Sequence, residues 1–140
     1  MKHLLKLLDC STEEIIGLLD LADQLKYEKK HNISHRHLEG KSLGMIFQKS
    51  STRTRVLLRP ACISWAVRHC SCPIATFRSA AASRYRDTAR VLSRYLDGIM
   101  IRTYEQKEVE DLANYGSIPI INGLTDFCHP CQVLADLMTI

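Results

Sequence analysis

A three-layer α/β fold, a parallel sheet with helices on both faces, is what this sequence predicts, and three observations carry that expectation. Segments with helical spacing alternate with short apolar runs along the whole chain, the pattern of parallel strands joined by crossover helices. Two of those runs hand over to helices through polar junctions, Ser50-Ser-Thr-Arg-Thr-Arg55 and His129-Pro-Cys-Gln132. The chain has 140 residues, 46% of them hydrophobic, which is enough apolar material for the core of one domain.

The elements follow in order. Ser11-Thr-Glu-Glu14 is a capping box that opens a helix through Lys26, with Ile15, Leu18, Leu19, Ala22 and Leu25 on one face. Lys29 to Glu39 reads as a polar loop. Leu43-Gly-Met-Ile-Phe47 is a strand, and a helix begins at Thr52. Asp87 caps a helix carrying Ala89, Val91, Leu92 and Tyr95. A strand at 97–101, a helix at 105–114 ended by Gly116, and a strand at 117–121 come next. Asn122-Gly123 reads as a turn, and Val133-Leu-Ala-Asp-Leu-Met138 as the last helix, opened by Pro130. No internal repeat, low-complexity tract or interdomain linker interrupts the series.

The polar junctions are the chemistry-bearing positions. A helix start offers unpaired backbone N–H groups and the positive end of the dipole, a ready anion site. Ser51, Thr52 and Thr54 add hydroxyls there, and Arg53 and Arg55 add planar guanidinium forks suited to phosphate oxygens. Arg102 closes the strand Asp97-Gly-Ile-Met-Ile101, and His129 and Gln132 stand at the last helix start. In a parallel sheet such junctions share the carboxyl edge of the strands, where ligands bind.

Other constellations carry less. His31, His35 and His37 lie in a charged loop without a neighbouring carboxylate or cysteine pattern, and no metal is expected. Cys128-His-Pro-Cys131 has CxxC spacing, but the cysteines read as small side chains beside His129 and Gln132. No run approaches the length of a membrane span, and the basic start, Met1 to Leu8, is interrupted by Asp9 and the capping box rather than followed by a cleavage site. Six scattered cysteines fit a reduced, cytoplasmic setting better than a disulfide framework.

Phe47-Gln-Lys-Ser-Ser-Thr-Arg-Thr-Arg55 resembles the carbamoyl phosphate motif of the carbamoyltransferases, and His129-Pro-Cys-Gln132 resembles the ornithine carbamoyltransferase form of their second motif; aspartate carbamoyltransferases more often carry threonine at the Cys131 place. Leu18 to Lys26, Asp87 to Tyr95 and Asp97 to Arg102 are similar to the ornithine enzymes as well. The resemblance covers residues 1–56 and 87–140. It implies the carbamoyl phosphate-binding half of that fold, with Ser51, Thr52, Arg53, Thr54, Arg102, His129, Pro130, Cys131 and Gln132 holding carbamoyl phosphate. Arg102 and His129 would be the catalytic pair, and neither metal nor organic cofactor would be needed. It further implies an ornithine-binding domain, absent here, so that residues 1–140 read as a truncated amino-terminal domain that would not form citrulline alone. A homotrimer, or a multiple of it, is implied, in which a loop glutamine crosses from the adjacent subunit; Arg78 stands at that place here.

Between these stretches the text changes. Residues 57–86 hold five arginines, His69, the sole tryptophan, Trp65, and three cysteines, with no Asp or Glu. Without those five charges the net +4 becomes −1, so the chain's basicity is local to this segment. Read one base out of step, its possible codons spell the family's leucine- and glycine-rich helix and its D-I-Q-x-G-R-G-E loop. The segment therefore reads as out of frame, with the frame restored by Asp87. As a cationic insert it is expected to be irregular or exposed. Two alternatives stand beside the ornithine reading. One is a carbamoyltransferase for another amine, such as aspartate or putrescine. The other is a non-enzymatic basic fragment using Arg59, Arg68, Arg78, Arg84 and Arg86, whose arginines lack the interleaved aromatics of a nucleic-acid module; neither a nucleic-acid nor a membrane partner is expected.

Overall fold

Strands β1 (Ser42–Phe47), β2 (Arg68–Cys72), β3 (Gly98–Arg102) and β4 (Ile120–Leu124) form one parallel sheet in the spatial order β2-β1-β3-β4. The computed structural model describes residues 1–49, 52–72 and 82–140, and the side chains of residues 52, 53, 72 and 82–84 lie outside that description. Among the described residues, five α-helices accompany the strands: α1 (Thr12–Lys30), α2 (Thr52–Ser64), α3 (Ala82–Tyr95), α4 (Gln106–Tyr115) and α5 (Pro130–Leu137).

Alternation along the strands builds two apolar layers. Ile46, Ile99, Ile101 and Ile120 face Ala89 of α3 and Val109 and Leu112 of α4, all of them buried. Met45, Phe47 and Met100 point the other way, against Leu58 of α2 and Ile121. A strand buried on both sides must be apolar at every position, which explains the unbroken run from Leu43 to Phe47. The expected three-layer α/β class is the observed one.

Helix α1 opens as its sequence dictates. Glu14 N–H donates to Ser11 Oγ at 3.2 Å, and Ser11 N–H donates to Glu14 Oε2 at 3.0 Å. The helix runs on to Lys30, where Lys29 and Lys30 suit the negative end of the dipole. Gly116 ends α4 as expected, its N–H on Leu112 O at 2.9 Å.

Two expectations need correction, and a third holds in only one of its two arms. Helix α3 starts at Ala82, so Asp87 lies inside it instead of capping it; alanine, the strongest helix former, extends the helix ahead of the aspartate. Asn122-Gly123 is not a turn but the centre of β4, where Asn122 is wholly buried and pairs with Ile101. The described part of the 57–86 segment is not irregular: α2 continues through Ser64, with Pro60 inside it, and β2 pairs with β1 from Ser42↔Arg68 to Ile46↔Cys72. Of its described cations, Arg59 on α2 stays exposed, as do Arg68 and His69 on β2, the end strand of the described sheet, so none of the three is buried without a partner.

Candidate functional site

The strand order sets the site. From β1 the chain moves outward to β2, then returns across to β3 on the other side of β1, so the crossovers diverge between the carboxyl ends of β1 and β3. Open parallel sheets bind ligands in the crevice at such a reversal. Thr54, in the first turn of α2 after β1, and Arg102, the last residue of β3, flank it. Arg102 Nη1 donates to Thr54 Oγ1 at 2.9 Å. Arg102 Nε is buried and has no hydrogen-bond partner among the described residues.

A local irregularity precedes that arginine. The β3–β4 register runs Ile101↔Asn122 and then Arg102↔Leu124, leaving Gly123 as an extra residue. Extra residues of this kind bend a strand and re-aim the side chains beside it. Glycine avoids a close approach here: a Cβ on Gly123 would lie 2.5 Å from Met100 Sδ and 3.2 Å from Ile101 O, so the methionine side chain and the carbonyl would both have to give.

The third wall comes from α5. His129 is its N-cap, and Gln132 N–H donates to His129 Nδ1 at 3.3 Å. With Nδ1 accepting, the neutral imidazole carries its proton on Nε2 as a donor. Burial and the positive charge of Arg102 push the His129 pKa below its ordinary value, with Asp136 opposing them more weakly. Gln132 Nε2 donates to Asp136 Oδ1 at 2.8 Å, an acceptor-only partner that identifies the amide oxygen Oε1 as the acceptor end. Pro130 is buried at the first helical position, and the Cys131 thiol, held up in pKa by burial, donates to Asn122 O at 3.6 Å.

These side chains share one groove of about 1300 Å³ on the sheet face between α2 and α5. Thr54, Arg102, His129 and Gln132 make its polar end, while Leu43, Leu58, Met100 and Ile121 line the apolar floor. The sequence-derived residues Thr54, Arg102, His129, Cys131 and Gln132 are thus brought together. Ser51 and Arg78 lie outside the described residues, as do the side chains of Thr52 and Arg53; their backbones at 52 and 53 begin α2. Arg55 is turned aside, its guanidinium 4.6 Å from the centre of the Phe47 ring. The three loop histidines do not converge. His31 and His35 bond the carbonyls of Tyr27 and Ile33, and His37 bonds Glu28.

Sequence reasoning missed the polar neighbours of this edge. Lys49 pairs with Asp126, and its Nζ sits 4.8 Å from the centre of the Tyr104 ring. Gln48 Nε2 donates to Tyr85 Oη at 3.0 Å, and Tyr85 Oη donates to Glu108. Burial first, and the Glu108 bond second, raise the Tyr85 pKa. None of these three pairings leaves a spacing signal, since the partners lie 77, 37 and 23 residues apart.

The geometry has clear relatives. Residues 2–140 match the family model of the aspartate/ornithine carbamoyltransferase carbamoyl-P binding domain. The ornithine carbamoyltransferase of Geobacter sulfurreducens is 46% identical over 140 residues, all of this chain and 46% of the relative. That of Pyrococcus abyssi is 50% identical over 99% of the chain and 44% of the relative. The solved ornithine carbamoyltransferase from Pyrococcus furiosus superposes with a TM-score of 0.93 at 49% identity, over 99% of this chain and 44% of that one. N-acetyl-L-ornithine transcarbamylase superposes at 0.84 with 26% identity, over 99% of this chain and 46% of that one. These matches extend across residues 57–86, where the motif-level resemblance breaks off. The chain spans less than half the length of these relatives, and it belongs to the aspartate/ornithine carbamoyltransferase family, in the carbamoyl-P binding domain.

Proposed function

We propose that this chain is the carbamoyl phosphate-binding portion of an ornithine carbamoyltransferase of arginine biosynthesis. The observation that carries the reading is the Arg102–Thr54 bond at the sheet's switch point, with His129 in the same groove. In the reaction the ornithine side-chain amine attacks the carbamoyl carbon, the carbon–oxygen bond to phosphate breaks, and the amine sheds a proton, giving citrulline and phosphate.

Each residue has a task in that sequence. Ser51, Thr52, Arg53 and Thr54 hold the phosphate at the start of α2, where N–H groups and the helix dipole favour an anion. Arg102 contacts both the phosphate and the carbonyl oxygen. His129, neutral and protonated on Nε2, donates to that oxygen as charge develops on it, and preorganised donors of this kind supply the largest rate effect in acyl-type transfer. The Gln132 amide oxygen accepts from the carbamoyl nitrogen, and Pro130 and Cys131 shape the wall behind it. Positioning and charge stabilisation suffice for this chemistry.

The curated relatives' names favour ornithine as the second substrate, as does the His129-Pro-Cys-Gln132 wording. The superposition on an N-acetyl-L-ornithine enzyme indicates that this half of the fold serves more than one amine. The amine site, and a loop glutamine contributed by a neighbouring subunit of a homotrimer, would complete the enzyme. Cys10, Cys62, Cys70, Cys128 and Cys131 are free thiols, in keeping with a cytoplasmic protein.

Isothermal titration of the chain with carbamoyl phosphate, beside Arg53→Ala, tests the reading. For residues 1–140 tested alone, the expected dissociation constant is no better than about 1 mM, roughly −4 kcal/mol, because the proposed amine site and the neighbouring subunit's loop do not take part, and the variant should lose the heat. No citrulline is expected from the chain alone. Carbamoyl phosphate binding equally well to both proteins would refute the assignment.

A further inference from the structure

We infer that Lys49 is a positioning residue for His129, acting through its ion pair with Asp126. The inference rests on the anion-site reading above, and it gives a task to a cation that the site chemistry does not use.

Lys49 leaves β1 ahead of α2 and reaches across the carboxyl edge of the sheet. Its ammonium bonds Asp126 and lies 4.8 Å from the centre of the Tyr104 ring, and its side chain is only 18% exposed although its partner is 69% exposed. Three loops therefore meet on one ammonium: the exit of β1, the β3–α4 loop through Tyr104, and the β4–α5 loop through Asp126. Backbone bonds reinforce the same seam, with Asp126 N–H on Tyr104 O at 2.9 Å and Gln48 N–H on Arg102 O at 2.8 Å. With its charge met by a carboxylate and a ring face, Lys49 is placed to hold structure and not to bind ligand.

The route to His129 is short. Asp126 lies inside a turn closed by Thr125 N–H on Cys128 O at 3.0 Å and by Cys128 N–H on Thr125 Oγ1 at 3.2 Å. The next residue is His129, the α5 N-cap. A cation fixed to the β1 exit thus pins the turn that delivers His129, while Arg102, one strand over, is fixed to Thr54. The span between the two sides of the site depends on both ties.

The experiment uses the full chain and three variants: Lys49→Met, Asp126→Asn, and the exchanged pair Lys49→Asp with Asp126→Lys. The first readout is the titration midpoint of the His129 ring by NMR without ligand. Arg102 on β3 and Asp136 on α5 are the charged groups facing that ring. Simple charge removal predicts opposite signs, since losing the ammonium raises the midpoint and losing the carboxylate lowers it. Loss of positioning predicts an upward move in both, because His129 leaves its half-buried place beside Arg102. The second readout is carbamoyl phosphate affinity, expected to fall about fivefold in each single variant and to recover within about twofold in the exchanged pair. The thermal midpoint should barely change, as for other ion pairs at a solvated rim.

A downward midpoint in Asp126→Asn, or tighter binding in that variant, would overturn the inference and make Lys49 a direct anion ligand. Unchanged midpoints in both single variants would overturn it too. If the parent chain binds no carbamoyl phosphate the site assignment fails, whereas the ligand-free His129 midpoints still decide the positioning role.

Discussion

Arg102 and Thr54 are 48 residues apart in the chain and 2.9 Å apart in space, joined by a guanidinium–hydroxyl bond across the point where the strand order reverses. Neither residue is unusual in itself. Their meeting follows from topology, because β1 and β3 are neighbours although β2 lies between them in sequence. The bond holds one edge of the guanidinium, while Nε is buried and has no hydrogen-bond partner among the described residues; Arg102 lines the groove.

Arg102→Lys should therefore behave as a loss, not as a conservative change. An ammonium has no planar fork and cannot hold Thr54 and an anion together. Carbamoyl phosphate binding, followed by ³¹P NMR, should weaken at least about tenfold, the scale of one charge-assisted hydrogen bond. Thr54→Val should cost less. Equal affinity in parent and Arg102→Lys would remove Arg102 from the site.

His129 makes the fold sensitive to acid. Its pKa is depressed in the folded chain, so the unfolded chain binds the proton more readily in the interval between the folded value and about 6.5. Stability from this group is complete above the unfolded value and is lost as pH falls through the folded one. The thermal midpoint should thus be lower at pH 5.5 than at pH 7.5. His3 is shifted the same way by burial, so the comparison needs His129→Gln, in which the pH difference should shrink but not vanish. An identical difference in that variant would contradict the assignment.

How much of this was legible beforehand depends on the range of the signal. The Ser11–Glu14 capping box, the apolar run of β1, the Gly116 stop and the Pro130 start are local patterns, and each stands where its residues imply. Gly123 was misread because a glycine after asparagine is also the commonest turn signal, and only the bulk of Met100 on the neighbouring strand decides between turn and strand. β2 was misread because Arg68-His-Cys-Ser-Cys72 has no apolar alternation; its place is set by pairing with β1, whose other edge β3 already occupies. Thr54, Arg102, His129 and Gln132, the proposed site residues, stood out as candidates because each sits at a strand-to-helix junction or a strand end, and they line one groove. Lys49 and Asp126 did not, since a long-range ion pair has no period.

Gly123→Ala should be costly for so small a change. The added methyl would need Met100 Sδ and the Ile101 carbonyl to move, at a point where Arg102 is aimed. Overpacking of this kind costs about 1–3 kcal/mol, several degrees of thermal midpoint for a chain of this size. Circular dichroism melting checks the stability, and phosphate titration should show weaker binding at temperatures where the variant is still folded. An unchanged midpoint would mean that the strand relaxes and that the close approach is not required.

The composition of residues 57–86 carries an expectation about the gene. Its nucleotides, read one base out of step, should encode the family's leucine- and glycine-rich helix and its acidic loop. Resequencing decides the matter: stop codons in the shifted frames of a verified gene would exclude the idea and leave genuine divergence.

Pro60 carries the last expectation, and it can be measured on the chain itself. It lies inside α2, nine residues into a helix of thirteen, where an ordinary residue would donate to the carbonyl of Val56. The ring removes that bond and crowds the same carbonyl, a penalty of about 3 kcal/mol in a helix interior. Leu57 and Ile63 on the same helix are exposed, so its packing rests on Leu58 and the buried Cys62. Pro60→Ala should raise the thermal midpoint by about 10 °C, with greater helicity at 222 nm. A proline tolerated by a kink that suits the groove would give the opposite result, a midpoint equal to or below that of the parent, and would mark Pro60 as a shaped part of the fold.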